Sequence, residues 1–340
     1  ATPGSPRRRT GDARGILGDL ALRAIATARS PLRSPMNVGF LFAWEDWGDA
    51  LWNQCDEPGG RHAHLRLSRF TPGTPTAARS DATGGPHDRI VCWNIPYLAD
   101  PAARLRGWQR RLAKWRGGLE AARHAHAWAR VPLGPDRVDV MMYEPPEAVS
   151  DAAYAFVAAR AGRVWGPDPR AGNPVMLPSV FTFGGSLSMW RDLPPPRDHD
   201  KVLPLVAVTS AASSLPGHAA RAGFYAALRR AGLPLTLHGR GLGDRGAGSL
   251  TCKSHALLAA RYCLAIENSC ADDRYVSEKL WDALVAWCVP LYFGTRALET
   301  IIPAESFIRI PSLDAAGLEV VAAALADPGQ YRRRLAALLH

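Results

Sequence analysis

Residues 262–294 read YCLAIENSCADDRYVSEKLWDALVAWCVPLYFG, and this stretch decides the fold. An apolar run over residues 263–267 predicts a strand, a polar loop follows, and an amphipathic segment over residues 277–287 predicts a helix. A second short apolar run occupies residues 289–293. Because parallel strands need a crossover connection, usually a helix, the two strands are predicted to lie parallel.

The same alternation of strands and helices extends to both sides of this stretch. It predicts parallel sheets built from β-α-β units, which bind ligands at the carboxyl ends of their strands. Further strands are predicted over residues 36–44, 89–93, 137–143, 163–165, 202–209, 233–238 and 307–310. Further helices are predicted over residues 101–129, 152–161, 217–231, 253–260, 313–326 and 330–339.

Proline and glycine enrichment marks a boundary between two such units. Residues 166–200 are rich in both and contain three consecutive prolines, which is typical of a linker region. The predicted fold class is therefore α/β, with two Rossmann-like domains that face each other across a cleft. Their predicted limits are residues 36–190 and 191–340, after a flexible basic leader over residues 1–35.

The net charge of +10 is unevenly distributed along the chain. Seven arginines and two aspartates give the leader a charge of +5, without the interleaved aromatic side chains that stack on nucleic-acid bases. A solvated tail is therefore favoured over a nucleic-acid-binding segment, and no nucleic-acid partner is expected. The remaining +5 favours anionic small molecules.

The sequence contains neither a membrane-spanning run nor a zinc-binding C-x-x-C spacing among its six cysteines. The chain begins with alanine, so we expect a piece of a longer protein, attached to a membrane only through an anchor outside this chain. Asp198-His199-Asp200 spells a metal-binding D-x-D. It precedes the strand over residues 202–209 instead of following one, so we interpret it as a chance match and expect no metal site.

The polar residues between the two strands of the opening stretch are suited to binding phosphate. Ser277 is placed to cap the helix, whose unpaired N–H groups and positive dipole end would face the carboxyl edge of the sheet. Lys279 in the first turn adds a positive charge that the helix dipole alone disfavours. A capped helix with a surface pair of Glu278 and Lys279 is the alternative interpretation.

This stretch resembles the C-terminal signature of glycosyltransferase family 10, the α-1,3-fucosyltransferases. In that signature, a strand ending in E-N-S is followed by Y-(V/I/F)-(T/S)-E-K, a helix, V-P and a strand closing in G. The matching positions are Glu267, Asn268, Ser269, Tyr275, Val276, Ser277, Glu278, Lys279, Val289, Pro290 and Gly294. The spacing R-x-x-F-Y-x-x-L from Arg221 and the turn H-G-R-G at residues 238–241 also resemble the family.

The resemblance implies a GT-B-like fold, with the acceptor on the N-terminal domain and the nucleotide sugar on the C-terminal one. It implies inverting transfer of fucose from GDP-fucose to a hydroxyl of a glycan or glycoconjugate acceptor. Glu144, after the strand over residues 137–143, is implied as the catalytic base; desolvation in a cleft would raise its pKa and suit it to accept a proton. A strand-end carboxylate bound by backbone N–H groups is the alternative. The implied donor-binding residues are Arg221, Asn268, Tyr275, Ser277, Glu278 and Lys279.

Cofactor, location and donor follow from the same resemblance. It implies that no cofactor is required, with Mn²⁺ at most stimulating the reaction. It implies the Golgi lumen for a eukaryotic source and the cytoplasm for a bacterial one. The family's basic residue is absent after the strand over residues 202–209, so a related glycosyltransferase with another sugar donor stays open. So does a non-catalytic nucleotide-sugar- or carbohydrate-binding protein of the same fold.

Overall fold

The structure, a computed structural model, contains two parallel β-sheets flanked by helices. It describes residues 36–42, 65–69, 88–93, 133–174, 176, 193–211 and 215–338. The predicted leader over residues 1–35 and the predicted helix over residues 101–129 lie outside the described residues.

The first sheet is built from the N-terminal half of the chain. Its strands lie in the order β2-β1-β3-β4-β5-β6, and every described pair is parallel. Helix α1 (Asp151–Ala158) connects β4 to β5. The strands are β1 (Met36–Phe42), β2 (Leu65–Arg69), β3 (Arg89–Trp93), β4 (Val138–Met141), β5 (Arg163–Gly166) and β6 (Asn173–Pro174).

A buried carboxylate fixes the centre of this sheet. Asp139 on β4 is 1% exposed. Its Oδ1 accepts hydrogen bonds from Arg89 Nη1 on β3 at 2.9 Å and from Arg163 Nε on β5 at 2.8 Å. Because a buried charge is tolerated only when it is paired, this triad ties three neighbouring strands together.

The second sheet is built from the C-terminal half. Its strands lie in the order β11-β10-β9-β7-β8, again all parallel. The strands are β7 (Leu203–Ser210), β8 (Leu235–Arg240), β9 (Ala260–Ile266), β10 (Val289–Phe293) and β11 (Ile308–Arg309). The helices are α2 (Pro216–Arg230), α3 (Ser254–Leu257), α4 (Glu278–Val285), α5 (Ala315–Ala326) and α6 (Pro328–Leu338).

Apolar side chains from this sheet and its helices form one continuous core. It includes Leu205, Phe224, Leu228, Leu264, Ile266, Leu291, Ile310 and Val321, all at most 1% exposed. Lys201 is buried beside this half, and its Nζ donates to the carbonyls of Leu257 at 3.2 Å and Ala286 at 2.8 Å. These carbonyls lie at the C-terminal ends of α3 and α4, where a positive charge is favourable. Lys201 therefore fixes α4, whose opposite end faces the site described below.

The predicted α/β fold of two Rossmann-like halves is confirmed, with local corrections. The strand predicted over residues 137–143 is shorter, because Pro135–Arg137 forms a 3-10 turn and β4 ends at Met141. The helix predicted over residues 253–260 is the single turn α3, since Ala260 already pairs in β9. The predicted linker begins too early, because β6 pairs with β5 and belongs to the first sheet.

Candidate functional site

The strand order of the second sheet reverses at β7. Strand β8 lies on one side of β7, while β9, β10 and β11 follow on the other. Helix α2 follows β7 and the loop over residues 267–277 follows β9, so both leave the same carboxyl edge at the reversal. In open α/β sheets, ligands bind outside the carboxyl ends of the strands at such a point.

The first turn of α2 lies directly against the loop after β9. A Cβ atom on Gly217 would be 2.0 Å from the carbonyl oxygen of Asn268, so this approach requires glycine. One turn later, Arg221 is 3% exposed, and its Nη1 donates to Asn268 Oδ1. Asn268 is the one described residue that forms a hydrogen bond or ion pair with this guanidinium, so no carboxylate of the described residues compensates its charge.

Glu267 joins the end of β9 to the start of α4. The backbone N–H of Ser277 donates to Glu267 Oε1 at 2.8 Å, and Ser277 Oγ accepts from the N–H of Lys279 as the cap of α4. Burial raises the pKa of Glu267, and the charge of Lys279 partly offsets that rise. The predicted cap is confirmed, and the buried Glu267 holds it in place.

Lys279 lies at the positive end of α4. Its Nζ donates to Ser277 Oγ at 2.9 Å and is 3.8 Å from Glu267 Oε2. Its side chain keeps 12% of its area exposed, so the ammonium group is partly accessible from outside the fold. The site therefore combines this ammonium group, the Arg221 guanidinium and the first turns of two helices, which together attract anions.

Glu278 belongs to an ion-pair network with Lys253 and Asp282, and its Oε1 is also 3.9 Å from Lys279 Nζ. Lys253 Nζ lies 3.2 Å from Glu278 Oε1 and 2.7 Å from Asp282 Oδ2. Burial raises the pKa of Glu278, but the charges of Lys253 and Lys279 outweigh burial and lower it to about 2. The sequence did not predict that Lys253 pairs with Glu278, because the two residues are 25 positions apart and no recognisable motif surrounds Lys253.

His218 is a second residue of this site to which sequence reasoning assigned no role. It lies in the first turn of α2 and is 7% exposed, and its Nδ1 accepts the backbone N–H of Leu215 at 3.2 Å. Burial lowers the pKa of His218, and the nearby charges of Arg221 and Lys279 lower it further. Both cations therefore act electrostatically on the same imidazole. The sequence signal that could have identified His218 is its position three residues before Arg221, because residues three apart lie on one face of a helix.

The N-terminal half contributes Tyr143 and Glu144, which follow β4. Tyr143 OH donates to the carbonyl of Val276 at 3.2 Å, next to Tyr275 in the opposite half. Burial raises the pKa of Tyr275 well above its ordinary value, and the carboxylates of Glu267 and Glu144 raise it further. Glu144 is thus close to the loop that precedes α4, and it is only half-buried.

Arg170 holds the turn that carries Glu144. Its Nη2 donates to the carbonyls of Val149 at 2.9 Å and Pro146 at 3.2 Å, and its Nε donates to Asp168 at 2.9 Å. A second contact between the halves lies nearby, where Ser269 Oγ donates to Glu147 Oε1 at 2.6 Å. The Arg170 bonds hold the backbone after Glu144, and the bonds of Tyr143 and Glu147 join the residues on either side of Glu144 to the second half.

Asp198–Asp200 forms a 3-10 turn just before β7, at the edge of the sheet opposite the site. Within the part of the chain that the structure describes, no three His, Cys, Asp or Glu side chains lie close enough together to hold a metal ion. In the same part, none of the helices combines the length and hydropathy that crossing a bilayer requires.

Residues 204–326 match the family model of the C-terminal domain of glycosyltransferase family 10 (fucosyltransferase). This matched segment, called the family 10 domain below, contains most of the second sheet and its helices. The human 4-galactosyl-N-acetylglucosaminide 3-alpha-L-fucosyltransferase FUT6 is 33% identical over 136 residues, which cover 38% of this chain and 36% of that protein. The human 3-galactosyl-N-acetylglucosaminide 4-alpha-L-fucosyltransferase FUT3 gives the same identity and coverage. The chain thus spans about a third of the length of these relatives.

Solved structures resemble the fold over about nine-tenths of the chain. An alpha-glucosyltransferase in complex with UDP and a 13-mer DNA has a TM-score of 0.54 at 10% identity, covering 89% of this chain and 94% of that one. An alpha1,3-fucosyltransferase with GDP-fucose has a TM-score of 0.45 at 15% identity, covering 91% and 83%. The first likeness supports the predicted GT-B-like fold, in which the family 10 domain is the C-terminal half.

The structure gathers the residues that the sequence singled out. Arg221 contacts Asn268, and Lys279 contacts Ser277, both at the carboxyl edge of the second sheet. Tyr275 is next to Val276, whose carbonyl accepts a hydrogen bond from Tyr143 of the first half. Glu278 faces Lys253. Glu144 lies outside the domain matched by the family model and reaches the site from the first half. The roles of these residues stay predictions.

The ion pairs of Lys253 with Glu278 and Asp282 lead to a prediction about stability. Lys253→Met is expected to lower the free energy of unfolding at pH 7 by about 3–5 kcal/mol, because it removes the cation that pairs with the largely buried carboxylates of Glu278 and Asp282. The pKa of Glu278 is lowered from 4.5 to about 2 in the fold, so its ionisation stabilises the protein above pH 4.5 and this contribution is lost as the pH falls towards 2.

Urea unfolding of both proteins at several pH values would test this. The difference in stability should be largest near neutral pH and should shrink on acidification below pH 4.5, the ordinary pKa of Glu278. Arg229→Met, at an exposed position on α2, serves as the control and should leave stability nearly unchanged. Equal stability at pH 7, or a difference that grows with acid, would contradict the prediction.

Proposed function

We propose that this chain transfers fucose from GDP-fucose to a hydroxyl group of a glycan or glycoconjugate, with inversion at the anomeric carbon, as an α-1,3-fucosyltransferase. One observation carries the proposal. The buried guanidinium of Arg221 has no carboxylate partner among the described residues, and its charge and that of Lys279 both lower the pKa of His218, after the larger effect of burial. An uncompensated buried charge calls for an anionic ligand, and the diphosphate of a nucleotide sugar supplies one.

On the donor side, the proposed role of the cations is to stabilise the leaving group. Negative charge grows on the diphosphate as its bond to C1 of fucose breaks, and Arg221, Lys279 and the first turn of α4 act on that charge. Their positions are fixed before the reaction by Asn268, Ser277 and the buried Glu267, so little reorganisation is needed. Asn268 and Tyr275 are assigned to donor binding, and Glu278 to the ribose.

On the acceptor side, Glu144 is the proposed base. It takes the proton of the acceptor hydroxyl while that oxygen forms a bond to C1 from the face opposite GDP, and the electron pair of the broken C1–O bond leaves with GDP. A single displacement of this kind inverts the anomeric centre and forms no glycosyl-enzyme. The half-buried position of Glu144 beside Tyr275 supports this role.

The proposal also covers cofactors, partners and cellular location. No cofactor is required, Mn²⁺ at most stimulates turnover, and no nucleic acid takes part. For a eukaryotic source the protein acts in the Golgi lumen, anchored through a segment outside this chain; for a bacterial source it acts in the cytoplasm. The names of the human relatives, which describe fucosyl transfer to N-acetylglucosaminides, support a glycan acceptor.

A panel of nucleotide sugars tests the proposed function. Binding is measured by calorimetry, and donor hydrolysis and transfer to an N-acetylglucosaminide are measured separately, for GDP-fucose, GDP-mannose, UDP-galactose and UDP-glucose. GDP-fucose is expected to bind most tightly and to be the donor that supports transfer. Preference for a uridine nucleotide would contradict the donor. Tight binding of GDP-fucose without hydrolysis or transfer would instead favour a non-catalytic binding protein.

A further inference from the structure

The proton on the His218 ring can be placed from one hydrogen bond. Nδ1 accepts the backbone N–H of Leu215 at 3.2 Å, so this nitrogen carries a lone pair. A neutral imidazole has one acceptor nitrogen and one donor nitrogen, and the proton therefore lies on Nε2. None of the described residues accepts a hydrogen bond from Nε2. The residue is 7% exposed, and this nitrogen is not one of the buried atoms enclosed without a partner, so a ligand can reach it.

The charges around this donor identify what it can bind. Arg221 lies one turn further along α2, and Lys279 lies in the first turn of α4. Burial lowers the pKa of the His218 imidazole, and the charges of Arg221 and Lys279 lower it further, which keeps the ring neutral. Arg221 itself forms a hydrogen bond with Asn268 and with no described carboxylate. An unused N–H within electrostatic range of two cations, one of them without a carboxylate partner among the described residues, fits an anion with several acceptor oxygens.

We propose that His218 is a further donor-binding residue, whose Nε2–H donates to a phosphate oxygen of the nucleotide sugar between Arg221 and Lys279. This inference rests on the proposed function, since it assigns a contact within the same donor site. A neutral imidazole adds a hydrogen bond without adding a positive charge, so it avoids repulsion with the two cations in the unliganded protein. It therefore sets affinity for the diphosphate independently of the nucleoside.

A purely structural role makes different predictions. The bond from Leu215 N–H to the His218 ring is one half of a capping box, in which the third helical residue reaches back to the residue before the helix. If capping were the whole role, substitution would lower stability and would affect all ligands alike.

Calorimetric titration of the full chain and of His218→Ala with GDP and with guanosine separates the two roles. The variant is expected to bind GDP about 10- to 100-fold more weakly, the effect of losing one hydrogen bond to a charged group, and to bind guanosine as the wild-type protein does. An equal loss for both ligands, or no loss for GDP, would overturn the proposal. His255→Ala, at an exposed position on α3, is the matched control and should bind both ligands normally.

His218→Glu is a second variant, which keeps the helix cap and so controls for its loss in His218→Ala. Glutamate is a preferred residue at this position of a capping box, so the ligand-free variant should melt no lower than His218→Ala. Its carboxylate offers no donor and repels phosphate, so GDP binding should be weaker still than in His218→Ala. GDP binding at the wild-type level in His218→Glu would overturn the proposal. A wild-type chain that fails to bind GDP at all would instead refute the proposed function.

Discussion

Glu144→Gln is expected to lower kcat for fucosyl transfer about 10²- to 10⁴-fold while leaving the Kd for GDP nearly unchanged. Glutamine has almost the same shape as glutamate but cannot take the proton of the attacking hydroxyl. Arg170 holds the backbone after Glu144 through the carbonyls of Pro146 and Val149, so the side chain at position 144 should keep its place. Steady-state kinetics and calorimetry on the same preparations measure both quantities.

Glu147→Gln is the matched control for this change. Glu147 lies three residues further on and is exposed, and its Oε1 accepts a hydrogen bond from Ser269, which glutamine can also accept. This variant should keep kcat close to the wild-type value. If Glu144→Gln kept full turnover, or if it weakened GDP binding as much as turnover, Glu144 would not be the base.

The sequence predicted the elements that local chemistry determines. The strand-helix-strand unit over residues 262–294 appears as β9, α4 and β10, and Ser277 caps the helix as expected. These features depend on apolar periodicity and on a cap within a few residues, both of which are visible in one short window. The ends of β4 and α3 were missed because neighbouring strands and turns, rather than propensity, determine them.

The parts of the site that the sequence did not predict depend on contacts between distant segments. Lys253 meets Glu278 across 25 residues, and Tyr143 meets Val276 across 133. The role of His218 depends on Lys279, which approaches it from another helix. A sequence pattern within one helix or strand does not indicate such contacts. The resemblance to the family identified Arg221 and Lys279 but did not show which residues lie around them.

Arg221→Met is expected to lower kcat/KM about 10²- to 10³-fold, because a preorganised cation at a developing negative charge contributes about 3 kcal/mol. Unliganded stability should change by no more than about 1 kcal/mol. The lost hydrogen bond to Asn268 destabilises the protein, while removing a buried guanidinium that has no carboxylate partner among the described residues stabilises it. A large loss of function with little loss of stability is the expected signature of a ligand-binding charge.

Arg221→Lys separates charge from geometry at this position, and Lys279→Ala tests the second cation. Arg221→Lys keeps a positive charge but not the planar fork, so it should recover only part of the lost kcat/KM. Lys279→Ala should lower kcat/KM by a similar two to three orders of magnitude, since the two cations act on the same diphosphate. Arg230→Met, on the exposed C-terminal end of α2, serves as the control and should leave both rate and stability unchanged.

Melting temperatures with and without GDP distinguish a structural role of Arg221 from a role in binding phosphate. If the guanidinium served only to hold the loop after β9 through Asn268, Arg221→Met would lower the melting temperature, and GDP would stabilise the variant as much as the wild-type protein. If the guanidinium binds phosphate, the variant should melt near the wild-type temperature without ligand and should gain much less stability from GDP. Thermal melts of both proteins at increasing GDP concentrations distinguish these outcomes, because each predicts a different order of the four melting temperatures.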